Sequence, residues 1–214
     1  MKIWNNWMIA ALIAGLSLDQ AHAHGSDGPD LAGKAVGIFG GPINNFPALK
    51  GVDAESRLGT SLGLVGEWGV HRNIGFALEP MLTWSGPSIT NGAGYKPDLM
   101  VLEIPILLRR NWLLGDHSRV FIFAGPNLSF PLSAEGNIAS GTALTKDDIK
   151  SFGFLLDAGL GGTVRIVPNW HLLGNVRYSH GFTEVLEDPI GGVDEWKARN
   201  IKFLFGILHH IPGT

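Results

Sequence analysis

The chain of 214 residues contains no cysteine. That excludes disulfides and any zinc or redox site built on thiolates; it fits export and leaves the cytoplasm open. Charge is scarce as well. Asp, Glu, Lys and Arg make up 16% of the sequence, against about 25% in typical soluble domains. The net charge is -3 and the sequence shows no Lys/Arg cluster, so the electrostatic footprint of a nucleic-acid partner is missing. Beyond the N-terminus no apolar run is long enough for a transmembrane helix, although hydrophobic residues reach 45%. No segment carries a convincing helical period. Nor is there a phosphate loop, because Gly159-Leu160-Gly161-Gly162 lies inside a strand pattern and opens no helix.

Glycine, by contrast, is abundant, at 30 of 214 residues, about twice the usual share of roughly 7%. At that level it points to close sheet packing and turns rather than to a helical bundle. The length suits one domain, or at most two. The N-terminus reads as an export signal. Met1-Lys2 gives a small positive start, Met8 to Leu18 a short apolar core, and Ala21-His22-Ala23 a small-residue cleavage site. Residues 1–23 are therefore expected to be removed after Ala23. Residues 24–33 form a polar leader, and residues 34–214 form the folded domain.

Eight period-two segments follow, at about residues 34–41, 58–70, 72–85, 98–112, 118–132, 150–167, 169–185 and 197–211. Their connections alternate between long and short. Long loops on one rim and tight turns on the other are the pattern of an outer-membrane barrel. An even strand number puts both termini on the short-turn rim. The two faces also differ. In the fourth segment Leu102, Ile104, Ile106 and Leu108 oppose Val101, Glu103, Pro105, Leu107 and Arg109. A strand sends these sets to opposite sides of the sheet. The expected fold is thus all-β: an eight-stranded, antiparallel, up-and-down transmembrane barrel with aliphatic side chains outward and charges in the lumen.

The quoted segments also resemble a known family. LEIPILLR (102–109), IGFALEPMLTWSG (74–86), FIFAGPNLSF (121–130) and the pair FGFLLDAGLGGTV and NVRYSHGFTEV are similar, in order, to the PorT-like, porin-family outer-membrane β-barrel domain. The likeness runs from about Ala35 to Leu208. It implies an eight-stranded outer-membrane barrel and carries over no established enzymatic activity. In one respect the chain departs from such barrels, which commonly end on an aromatic residue. Here Leu208 is followed by His209-His210-Ile211-Pro212-Gly213-Thr214, with Phe203 and Phe205 the nearest aromatics.

Period-two parity assigns eight charges to the lumen: Glu67, Glu79, Glu103, Arg109, Asp157, Arg165, Arg177 and Lys202. A barrel of eight strands is narrow enough to be filled by its own side chains. Four acids and four bases can balance there, so a salt-bridged plug is expected rather than a conducting path. Trp68, Trp84, Trp112, Trp170 and Trp196 all fall at segment ends and are expected to form interfacial aromatic belts. Ser179-His180 invites a hydrolase reading, but neighbours in a strand point to opposite faces and cannot pair. His24, as a new N-terminus, would offer copper two nitrogens and no further legible ligands. Neither catalytic, cofactor nor metal residues are expected.

The expected partners are outer-membrane lipids, lipopolysaccharide and the barrel-assembly machinery, with an extracellular partner left open and no nucleic acid. Two other readings are a small-solute channel and a soluble, lipocalin-like barrel with an apolar interior. The soluble reading needs the Ile/Leu/Phe face inside.

Overall fold

The computed structural model describes residues 33–51, 53–71, 73–89, 96–115, 117–137, 143–190 and 192–211. The expected signal peptide (1–23) and all of the expected leader except Gly33 lie outside them. Eight strands form the main sheet: β1 (Lys34–Asn45), β2 (Arg57–His71), β3 in two parts (Ile74–Leu78 and Met81–Ser85), β4 (Asp98–Leu114), β5 (Ser118–Glu135), β6 (Gly153–Val167), β7 (Trp170–Glu184) and β8 (Glu195–Ile211). Each pairs antiparallel with the next. β1 also pairs with β8, from Lys34 opposite Ile211 to Asn45 opposite Asn200, which closes the ring. Closure leaves no unpaired edge.

The break in β3 has a covalent cause. Pro80 has no N–H to give to the ladder. The Glu79 N–H still donates to Pro105 O and the Leu64 N–H to Pro80 O, so the register carries through. Short turns join β2 to β3, β4 to β5 and β6 to β7. The last of these places Asn169 at φ 66°, a left-handed position that asparagine tolerates better than most residues.

The connections at the other rim are longer and carry short pairings of their own. Ala48–Lys50 pairs with Glu195–Lys197 of β8, and Ala54–Glu55 with Ser88–Ile89. Among the described residues a 3-10 turn spans Lys146–Asp148. From these connections Ile89, Leu144, Ile149, Leu186 and Val193 pack with Leu99, Ala134 and Trp196 at the strand ends into an apolar cluster.

Strand alternation sorts the side chains as parity demands. Val36, Ile38, Leu62, Leu64, Phe76, Ile106, Leu108, Leu160, Val176, Phe203 and Phe205 are exposed on the outer wall. Glu67, Glu79, Glu103, Arg109, Asp157, Arg177 and Lys202 are buried inside. A soluble barrel with an apolar interior requires the reverse, so that alternative fails. The inner wall is nonetheless less uniformly small and polar than the sequence pattern suggests. Phe39, Val65, Met81, Leu107, Phe121, Phe123, Leu173, Leu204 and Leu208 also point inward and form a second apolar cluster.

Candidate functional site in the barrel lumen

Seven of the eight strands contribute a polar side chain to one connected array. At one end Arg119 of β5 donates to Glu67 of β2 at 2.8 Å. Glu67 also takes Arg109 of β4, and Arg109 reaches on to Glu79 at the β3 break. Arg177 of β7 bridges Glu79 to Asp157 of β6, the second contact at 3.3 Å. Asn127 of β5 then donates to Asp157 at 3.2 Å and to Glu103 of β4 at 2.6 Å. Lys202 of β8 closes the series on Glu103. Four acids and four bases balance in number, and the one place where two acids adjoin, Asp157 and Glu103, is bridged by the Asn127 amide. β1 adds no charge; its inward residues include Ala35, Phe39 and Ile43.

The register explains the order. Arg177 and Lys202 are direct cross-strand partners, an arrangement in which like charges repel. Each is drawn to a different acid, Arg177 towards Glu79 and Asp157, Lys202 towards Glu103. The side chains of Arg177 and Lys202 are fully buried. At such burial an ion costs several kcal/mol, roughly, unless it is paired and hydrogen-bonded. Aromatic faces supply further contacts. The Arg109 guanidinium lies 4.6 Å from the centre of the Phe121 ring, and that of Arg177 lies 5.0 Å from the Phe123 ring. Cation–π attraction of this kind is strongest in desolvated sites.

Two glycines make the rings fit. A Cβ on Gly159 would lie 2.6 Å from Phe123 Cζ, and one on Gly161 would lie 2.7 Å from Phe121 Cζ. Both distances are impossible without movement, and β7 crowds the same points, with Val176 O closer still to the first and Gly174 O at 2.6 Å from the second, so these β6 positions must stay bare for both the rings and the neighbouring strand.

Seven of the eight charges assigned by parity thus lie in this array. Arg165 does not. It has the inward parity of Asp157, but it sits at the short-turn end of β6, where the register with β7 shifts between Arg165 and Val167, and it is exposed. Arg119 takes the eighth place. The sequence signal for it was present: Arg119 shares parity with Phe121 and Phe123, and two phenylalanines on that face look lipid-facing until the glycines opposite are considered. Asn127, which joins Asp157 to Glu103, was missed for the same reason.

The tryptophans divide similarly. Trp68, Trp84 and Trp170 are exposed on the outer wall and Trp112 is partly so, each on the opposite parity to its strand's inward residues. Trp196 is a correction. It is only 2% exposed and belongs to the apolar cluster under the long connections. Its even number puts it on the same face as Lys202, and β8 runs far enough towards the long-loop rim to turn that face onto the cluster.

No hydrolytic pair forms at Ser179-His180. Ser179 is buried on the inner wall, while the outward His180 ring meets the Tyr178 hydroxyl at 3.1 Å. His209 and His210 likewise diverge, towards Trp170 and His171 respectively. Among the described residues no cluster of three or more His, Asp or Glu could hold a metal ion, and no helix is long and apolar enough to cross a membrane.

Several solved structures share this architecture. Neisserial surface protein A aligns with a TM-score of 0.55 at 13% identity, covering 83% of this chain and 97% of its own. A major outer membrane protein from Thermus thermophilus gives 0.54 at 16% identity, covering 84% and 100%. OprG, an outer membrane protein from Pseudomonas aeruginosa, gives 0.51 at 16% identity, covering 85% and 97%. At such identities the likeness is one of fold. No curated protein sequence matches the chain significantly. The model of one family, however, matches residues 31–187, most of the chain. With the closed ring and the apolar outer wall, that match identifies the chain as a member of the outer membrane protein beta-barrel domain family.

Proposed function

We propose that the protein is a non-enzymatic, integral outer-membrane barrel whose lumen is closed by its own side chains, and whose long connections serve a structural or recognition role at the cell surface. The observation that supports this most is the continuous array from Arg119 to Lys202. It spans the interior with buried, mutually neutralising groups. A conducting pore keeps its charges wet; an eight-stranded barrel is narrow enough to leave no water path. The apolar cluster beneath the long connections adds a second layer at one mouth.

Several narrower statements belong with this reading. The strand 102–109 supports membership of the PorT-like subgroup. The N-terminal pattern supports cleavage after Ala23. The exposed apolar wall supports contact with outer-membrane lipids and lipopolysaccharide, and delivery by the barrel-assembly machinery; the scarcity of basic clusters speaks against nucleic acid. The long connections face outward in this reading, towards an extracellular partner of unassigned identity.

The test is electrical and topological. The mature protein, refolded and added to planar bilayers, is expected to give no steady single-channel conductance. A reproducible open level would refute the closed lumen and favour a small-solute channel. Since the chain has no native cysteine, Glu135→Cys creates a unique label at the long-loop rim. It should react with an impermeant maleimide on intact cells.

A further inference from the structure

We infer that the outer wall of β7 and β8, at the long-loop rim, binds the phosphate of an outer-leaflet lipid, with the Arg199 guanidinium as the main donor. The inference rests on the orientation proposed above.

Arg199 shares the outward parity of Ile201, Phe203 and Phe205, and lies cross-strand from His180. The lumen arginines 109, 119 and 177 are engaged by carboxylates, and so is Arg57, at 2.6 Å from Asp98. The Arg199 side chain has no ion pair or hydrogen bond among the described residues. Its Nε is shielded from solvent and without a partner, as are those of Arg109, Arg119 and Arg177, but those three are held through their terminal nitrogens. A guanidinium held half-buried against an apolar wall calls for an anion, and its planar fork suits phosphate oxygens.

The height is right for a headgroup. Trp170, opposite His209, marks the lower aromatic girdle. From position 209 to 199, at about 3.3 Å per residue and a strand tilt of about 40°, the climb is about 25 Å. That is roughly the height of the apolar band of an outer-membrane barrel. Arg199 therefore stands where acyl chains give way to phosphates on the long-loop side. The wall around it is aromatic: Tyr178, one step below, stacks on Phe46 at 6.2 Å, and His180, level with Arg199, lies 5.1 Å from Phe182 on the long-loop side. The Tyr178 hydroxyl fixes the His180 ring beside the site. Above it, Lys197 adds a second cation, 3.9 Å from Glu195. The nearby acids are already engaged, Glu195 also by Lys50 and Glu184 by Lys150 at 3.8 Å. Aromatic rings and two cations gathered at this height match a lipid whose phosphate sits at the interface.

The experiment uses the mature chain in phosphatidylcholine nanodiscs, with bound lipid counted by native mass spectrometry. Diphosphorylated lipid A is expected to be retained, dephosphorylated lipid A is not, and millimolar inorganic phosphate does not displace it. Arg199→Ala should lower retention at least tenfold, while Arg165→Ala, exposed at the opposite rim, leaves it unchanged. Heat-modifiable gel migration confirms that each variant is folded. The inference falls if Arg199→Ala retains lipid A like the parent, if the dephosphorylated lipid is held equally, or if inorganic phosphate displaces it, which would mark a free-anion site. Both faces of a nanodisc are open to added lipid, so this result stands apart from the cell-labelling test. A silent maleimide reaction on cells with intact lipid A retention would overturn the orientation alone.

Discussion

Replacing Arg177 by Met tests whether the lumen is dry. The side chain is fully buried and bridges Glu79 to Asp157. Two unit charges 3.3 Å apart attract by about 5 kcal/mol at an effective dielectric of about 20. Against this stands a desolvation cost of several kcal/mol, roughly, for each ion. The pair is therefore close to neutral in total, and the damage comes from breaking it. After the substitution Glu79 keeps Arg109, but Asp157 keeps the Asn127 amide as its direct partner and only Lys202 as a neighbouring cation. The Phe123 ring loses its nearer cation and keeps Arg109 at 5.9 Å. An orphaned buried charge of this kind costs about 3–5 kcal/mol. With a urea dependence of about 2 kcal/mol per molar, the unfolding midpoint should fall by about 1.5–2.5 M. The assay is equilibrium urea unfolding of the refolded barrel in detergent, followed by tryptophan fluorescence and by heat-modifiable migration. Adding Asp157→Asn removes the orphan and should recover most of the loss, because Met and Asn leave no unpaired charge. A single-variant cost below about 1 kcal/mol, the range of exposed pairs, would refute the argument. So would a double variant as unstable as Arg177→Met alone.

Four further outcomes follow from the same geometry. Arg119→Gln should destabilise the barrel by about 1–3 kcal/mol, because the buried Glu67 then keeps only Arg109, whereas Arg165→Gln should stay within about 0.5 kcal/mol, as exposed substitutions do; equal effects in urea unfolding would undo the exchange of these two residues. Trp196→Ala should cost about 3–5 kcal/mol locally; limited proteolysis should then cut the long connections faster while the β-strands stay protected, and unchanged cleavage would count against the apolar cluster. Gly161→Ala should cost about 1–3 kcal/mol by overpacking against Asn175 and Gly174 of β7 as well as Phe121, and Phe121→Leu in the same chain should relieve only the share due to the ring in the same titration. Asp148 accepts hydrogen bonds from the Thr145 hydroxyl at 2.7 Å and its N–H at 2.8 Å, and these hold the carboxyl below the usual aspartate range. The depressed value means its contribution is present above the unfolded pKa and is lost as pH falls through the folded one. Amide exchange at Asp148 and Ile149 should accelerate only in that acid window, and Asp148→Asn should abolish the pH dependence.

What was legible in the sequence was whatever parity alone decides. Leu102, Ile104, Ile106 and Leu108 against Glu103, Leu107 and Arg109 fix which side of β4 faces out, and the structure repeats that alternation around the ring. Strand ends were less legible. β5 runs to Glu135 and β8 begins at Glu195, beyond the plain alternating pattern, because the extra residues pair above the band a membrane would occupy. Trp196 was misplaced for that reason: its position at a segment end was weighed, and its shared face with Lys202 was not. Arg165 failed in the other direction. Its parity was right, but parity says nothing about depth, and at the last turn of β6 the lumen has already opened.

Depth and tiling also explain why glycine and arginine occur together in so sparsely charged a chain. Phe121 and Phe123 point inward by strand alternation, and the bare Gly161 and Gly159 opposite them on β6 leave room for the rings. Those rings then lie beside Arg109 and Arg177, which their faces help to desolvate and orient. The arginines in turn require Glu67, Glu79 and Asp157 from three other strands. Each step is a constraint between strands rather than within one, so a period-two reading of single segments cannot see it. A lumen assembled this way cannot lose one charge without exposing another. That interdependence fits a closed, load-sharing interior better than a solute path, where individual charges could change with little effect on stability.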